Sequence, residues 1–290
     1  MALEREERSR RQRKLVMLAA AGVVLVLAIL VAVRFMTQSA ATNVEQGPVP
    51  PEVMSQITGI SPSTLEQVGK GSAQVMPTPV RQQLLTGPSG LPLLSYIGAE
   101  YCPFCAGERW PLIVALSRFG TFANLHYSHS ASEDVYPNTP TFTFVGSSYS
   151  SQYVEFNSVE LQSNVRSGSG YQTLQTPTPA QNDLLRTYDG PPYVPAQSAG
   201  SIPFIDFGNQ YVVSGATFDV GLLRGMSQSQ VAAMLPAGTS DQAKAILGAA
   251  NVLTAAICSM TNNQPDDVCG SPTIRNLQST LAATPVPAGQ

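Results

Sequence analysis

The chain has 290 residues, 43% of them hydrophobic and only 12% charged, with a net charge of −3. Such a composition leaves room for one sizeable core or two small ones and excludes a helical bundle laced with ion pairs. It also argues against nucleic-acid binding, because the basic residues crowd the N-terminus and the remainder is acidic.

Residues 1–14 carry Arg5, Arg8, Arg10, Arg11, Arg13 and Lys14 against Glu4, Glu6 and Glu7, leaving 10 basic and 16 acidic residues for the rest of the chain. Residues 15–33 follow without a charged side chain. At about 1.5 Å rise per residue such a run covers roughly 28 Å, the thickness of a bilayer's hydrocarbon. The pattern predicts one membrane-spanning helix, with the lipid bilayer as a partner over residues 15–33. The basic flank places the N-terminus in the cytoplasm and residues 34–290 outside. The alternative is a cleaved signal peptide ending near Ser39, Ala40 and Ala41, but its apolar core ordinarily runs only about 7–15 residues. Both readings export the main body.

Residues 34–60, with Pro48, Pro50 and Pro51, read as a linker. Residues 61–275 read as one domain, opened by a short helix at Ser61 and Pro62. The run 91–97 suits a buried strand. After Gly98 come Cys102, Pro103, Phe104 and Cys105, and then Trp110, Ile113, Val114, Leu116 and Phe119 at helical spacing up to Gly120. Residues 122–127 read as a second strand, which makes a strand–helix–strand unit with a parallel pair. Residues 129–200 read as an insertion containing strands near 141–145 and 153–156. Two apolar runs, 202–207 and 210–214, flank Gly208 and Asn209 as a β-hairpin. Helices are expected over 227–235 and 239–260, and residues 276–290 read as a flexible polar tail. The fold class is α/β.

Four cysteines in an exported chain fit an oxidising compartment. A strand before the Cys102/Cys105 pair and a helix after it put Cys102 at a helix N-terminus. There, unpaired amides and the helix dipole favour the thiolate. Cys105, one turn on, is placed to resolve a mixed disulfide. Pro103 fits the first helical turn, where its missing N–H costs nothing. Tyr101 and Phe104 line an apolar peptide groove or pack into the core. Glu100 is an acidic neighbour and disfavours the thiolate. Cys258 and Cys269 read as a structural disulfide closing a polar loop, with a second redox pair as the alternative.

The Cys-Pro-Phe-Cys motif between a strand and a helix resembles the thioredoxin superfamily, in the Cys-Pro-aromatic-Cys form of glutaredoxin-type members. The resemblance implies a thioredoxin-like mixed sheet flanked by helices. It also implies a cis-proline at the start of the C-terminal hairpin, here Ile202–Pro203, with the Ile202 backbone pairing to an extended substrate across from Cys102. The basic head, single span and Cys-Pro-x-Cys domain together resemble a prokaryotic family labelled domain of unknown function 929.

These readings converge on a membrane-anchored, extracytoplasmic thiol–disulfide oxidoreductase acting on protein or peptide thiols and disulfides, with no cofactor and no metal. Two rivals stand beside it. One is an inert thioredoxin-like binding module. The other is a copper or zinc site joining the two cysteines to His126 or His129.

Overall fold

The computed structural model describes residues 45–287. The basic head, the expected span at 15–33 and the start of the linker lie outside the described residues.

The core is a five-stranded mixed sheet. In chain order its strands are β1 (Thr78–Pro79), β2 (Leu93–Gly98), β7 (Glu155–Glu160), β10 (Phe204–Phe207) and β11 (Tyr211–Ser214), and in space they run β1-β11-β10-β2-β7. β2 and β7 pair in parallel, with Leu94 opposite Phe156 and Gly98 opposite Glu160, while the other pairs are antiparallel. Alternation along the strands gives the sheet two apolar faces. Leu94, Tyr96, Ile205, Phe207 and Val213 face the main core, whereas Ile97, Phe204 and Val212 face Leu184 and Tyr188.

Helices cover both faces. α1 (Pro51–Thr58), α2 (Pro62–Val68), α3 (Pro103–Leu116), α5 (Gln228–Met234), α6 (Asp241–Met260) and α8 (Pro272–Ala283) bury apolar residues in the main core. α4 (Pro179–Tyr188) packs on the opposite face, started by a capping box between Thr178 and Gln181. The hairpin turns through Gly208, Asn209 and Gln210 between the paired Phe207 and Tyr211; Gly208 and Asn209 are left-handed with φ 61° and 59°, and the Gln210 amide bonds back to the Phe207 carbonyl at 3.0 Å.

Four expectations are corrected. Residues 51–58, expected as linker, form α1, because Val53 and Ile57 are spaced one turn apart and reach the core. Residues 122–127 do not pair with β2. They divide between β3 (Gly120–Ala123) and β4 (His126–His129), which form separate ribbons with β6 (Ser148–Ser151) and β5 (Pro140–Thr143). The parallel partner of β2 is β7, so residues 129–200 are not wholly an insertion: their middle supplies a core strand. The expected tail at 276–290 is helical through Ala283, because Ile274, Leu277 and Leu281 recur at helical spacing and are buried.

α6 is long and apolar enough by composition to cross a membrane, yet it is 89% buried inside the domain. Its position depends on Gly248, where the chain at Lys70 and Gly71 crosses the helix. A side chain there would meet the Lys70 carbonyl and lie 2.9 Å from Gly71 Cα. Asn251 supports the same crossing, its amide donating to the Leu65 and Gly69 carbonyls at 2.8 and 2.7 Å. In an open helix Gly→Ala gains about 1 kcal/mol. At Gly248 the sign reverses: Gly248→Ala is expected to lower the unfolding free energy by about 2 kcal/mol, read from denaturant titration.

Candidate functional site

Cys102 is the N-cap residue of α3, with extended backbone and its sulfur accepting the Cys105 amide at 3.2 Å. A serine or aspartate would place an oxygen there; here a sulfur takes the helix's free donor. Pro103 occupies the first helical position. Cys102 is 5% exposed and Cys105 is fully buried, and neither is in a disulfide. The Ile202–Pro203 bond is cis, and the Cys102 thiol donates to the Ile202 carbonyl at 3.6 Å.

Beneath the cysteines lies an ion pair that is fully buried. Arg109 donates from Nε to Glu160 Oε1 at 2.9 Å and from Nη2 to Oε2 at 2.6 Å. The same Nη2 donates to the Ala99 carbonyl at 3.0 Å, which also accepts the Cys102 amide at 3.3 Å. Arg109 therefore braces the turn that delivers Cys102, while Glu160 ties that turn to the end of β7 beside Gly98. Glu160 holds the guanidinium's proton above its ordinary range against the pull of burial.

The two thiols are driven apart. The hydrogen bond from the Cys105 thiol lowers the Cys102 pKa; burial opposes it, and the Cys105 amide and the Arg109 charge add to the lowering. Burial raises the Cys105 pKa well above its ordinary value, and the bond to Cys102 raises it further. The result is one thiol disposed to ionise beside one held protonated.

Around the sulfurs, Phe104 is 42% exposed and meets Tyr136 edge-on at 5.9 Å. Tyr101 stacks on Tyr171 at 4.3 Å, and its carbonyl accepts the Ala131 amide. Tyr171 belongs to the ribbon formed by β8 (Gln162–Ser167) and β9 (Gly170–Thr173). A cavity of about 410 Å³ opens beside Ile202, walled in part by Phe104, Tyr136, Phe218 and Asp219.

The structure thus brings Cys102, Cys105, Pro103, Phe104, Tyr101, Ile202 and Pro203 to one place. Cys258 and Cys269 are joined by a disulfide elsewhere, between α6 and the short helix α7 (Asp266–Cys269). His126 and His129 lie on β4, where the His129 ring meets the Ser130 carbonyl at 2.8 Å. Among the described residues no three His, Cys, Asp or Glu side chains converge as a metal site. Sequence reasoning named Glu100 as the relevant charge and missed Arg109 and Glu160. The available signal was Arg109 itself, four residues after Cys105 and therefore on the same helix face.

Trp110 anchors α3, donating to the Pro140 carbonyl at 2.8 Å. Glu108, fully buried, accepts from the Thr217 amide and hydroxyl at 2.7 Å each, while its other oxygen has no partner. Burial lifts its pKa to about 8, against those two bonds. Burial likewise lifts Asp206 to about 7, opposed by the Asn209 and Gly208 amides. Each acid binds its proton more tightly folded than unfolded, so its contribution is fully present below the unfolded carboxylate range. That contribution is lost as pH rises through the folded values. Stability is therefore expected to fall between about pH 5 and pH 9, and Glu108→Gln to recover on the order of 3 kcal/mol at the alkaline end. Urea unfolding of both proteins across that range checks it; parallel curves would refute it.

The family model described as Domain of unknown function (DUF929) matches residues 81–259, a stretch that contains both motif cysteines, Arg109, Glu160 and Ile202–Pro203. Comparison with the curated proteins and with solved structures finds no match. With more than half of its length covered, the chain belongs to the family Domain of unknown function (DUF929).

Proposed function

We propose that this chain is a membrane-anchored thiol–disulfide oxidoreductase with a thioredoxin-like fold, working on the extracytoplasmic side through Cys102 and Cys105. The observation that carries the reading is the Cys102 sulfur at the N-terminus of α3, accepting the Cys105 amide and lying 3.6 Å from the Ile202 carbonyl. The mixed sheet supports the fold assignment, with the cysteines following β2 and Pro203 leading into the antiparallel β10. The Cys258–Cys269 disulfide and the basic-flanked apolar run at 15–33 support the location.

In the reducing direction, the Cys102 thiolate attacks one sulfur of a substrate disulfide. The other substrate sulfur leaves as a thiolate and takes up a proton. Cys105 then gives up its proton and attacks the Cys102 sulfur of the mixed disulfide. The Cys102–Cys105 bond closes, the second substrate thiol is released, and the substrate has gained two electrons. A partner dithiol reopens the pair. In the oxidising direction the same steps run backward, with a partner disulfide as the electron acceptor. Ile202 and Phe104 border the approach, and Arg109 is a positioning residue whose charge favours both thiolates.

The reading as an inert module draws on the 5% exposure of Cys102. Two outcomes separate it from exchange. Cys102→Ser is expected to abolish disulfide exchange on insulin or a model peptide, whereas Cys105→Ser leaves a mixed disulfide that gel electrophoresis without reductant detects. Full activity in Cys102→Ser, or no trapped adduct in Cys105→Ser, would favour the module.

The positioning role has its own readout. Replacing the ion pair as a unit, Arg109→Met with Glu160→Gln, avoids a lone buried charge. The Cys102 pKa, followed by thiolate absorbance in the ultraviolet, is expected to rise by about one pH unit. An unmoved titration would show that the pair only supports the fold.

A further inference from the structure

We infer that the cavity beside Ile202 is a subsite for a cationic side chain, lysine or arginine, carried by the polypeptide whose cysteine meets Cys102. This rests on the exchange reading above and names its substrate class.

The cavity, about 410 Å³, begins at the residue whose carbonyl accepts the Cys102 thiol, so an occupant is a close neighbour of the reacting cysteine. Three aromatic residues, Phe104, Tyr136 and Phe218, stand in its walls. Their faces attract a cation, and their bulk covers the methylene stem of a long basic side chain. No lysine or arginine lines it, and Arg224 stands 5.7 Å over the Tyr136 ring at its border, which shows that this wall draws a cation and leaves Phe104 and Phe218 for an occupant. Asp219 stands exposed at its margin, with one oxygen engaged by the Gly221 amide at 2.9 Å.

The second acid is Asp189, only 4% exposed. Its carbonyl accepts the Gly200 amide at 2.9 Å, which fastens it to the segment whose Ser198 and Ser201 wall the cavity. Its carboxyl lies beside Ser214, another wall residue. The Ser214 hydroxyl is the one side-chain donor that reaches Asp189, and no closer partner satisfies either carboxylate oxygen. Burial lifts the Asp189 pKa to about 6 with the Ser214 hydroxyl opposing, so the group is charged above that pH. A buried carboxylate whose one donor is a single hydroxyl is a costly arrangement. A guanidinium or ammonium in the cavity meets Asp219 directly and places its positive charge across the Ser214 wall from Asp189. An acidic side chain would meet Asp219 in the wall, with the Asp189 charge behind Ser214, and be rejected.

The test uses the full chain with two synthetic peptide disulfides that differ only in a lysine or a glutamate beside the cysteine. The lysine peptide is expected to show a kcat/KM roughly tenfold higher, with the gap narrowing at high salt. Asp219→Asn and Asp189→Asn should each cut the ratio about threefold. Asp219 is exposed, so its variant carries the test even if the buried replacement misfolds. Equal rates for the two peptides, or a ratio untouched in Asp219→Asn, overturn the cationic subsite while leaving exchange intact. Absence of exchange with both peptides overturns the exchange reading itself.

Discussion

The buried pair of Arg109 and Glu160 is the constraint on which the cysteine-bearing end of the molecule rests. Taking two charges out of water is expensive, and such a pair contributes little net stability compared with apolar residues of the same size. Its value here is geometric. Glu160 sits at the end of β7 and Arg109 one turn below Cys105, so the double hydrogen bond sets α3 against the sheet edge. The same Nη2 also reaches the Ala99 carbonyl, which receives the Cys102 amide as well. Strand, turn and helix are thereby joined at one fixed point, and removing one partner alone would strand a charge at a cost of about 3–5 kcal/mol.

The same pair has an electrostatic consequence. Cys102 and Cys105 are both shielded from water, which by itself would keep both thiols protonated. The hydrogen bonds that meet at Cys102, together with the Arg109 charge, counter burial at that sulfur, whereas at Cys105 burial and the bond to Cys102 act in the same direction. An identical residue type thus takes opposite roles three positions apart. The difference comes from the helix start: only the N-cap position exposes a sulfur to the unpaired amides of the first turn.

Local signals carried much of this into the sequence. The Cys-Pro-Phe-Cys motif marked a helix start because proline suits the first turn, and Gly208 with Asn209 marked a hairpin because both tolerate positive φ. Long-range pairing was not legible. Residues 122–127 are as strand-like as residues 155–160, and nothing in composition says which one lies beside β2. The choice is made by where Arg109 finds its carboxylate and by how the ribbons around Phe122 and Phe142 cover α3. Isolated charges in apolar runs, such as Glu108, Arg109 and Asp206, are of residue types that ordinarily lie at the surface. Each is buried because its partner comes from a distant segment or from a turn amide, information that periodicity does not contain.

The near burial of Cys102 also bears on how a partner must approach. A sulfur 5% exposed cannot meet a folded surface broadside, so under the proposed function a substrate cysteine would arrive on an extended or mobile segment. The borders of that approach are unequal in kind. On one side, Tyr101 and Tyr171 form a closed stack with Arg166 4.6 Å above the Tyr171 ring, and this offers little freedom. On the other, Phe104 is exposed and the cavity beside Ile202 is open. In the proposed exchange, selectivity would therefore reside on the Ile202 side, where a neighbouring side chain meets the cavity wall before the sulfurs react.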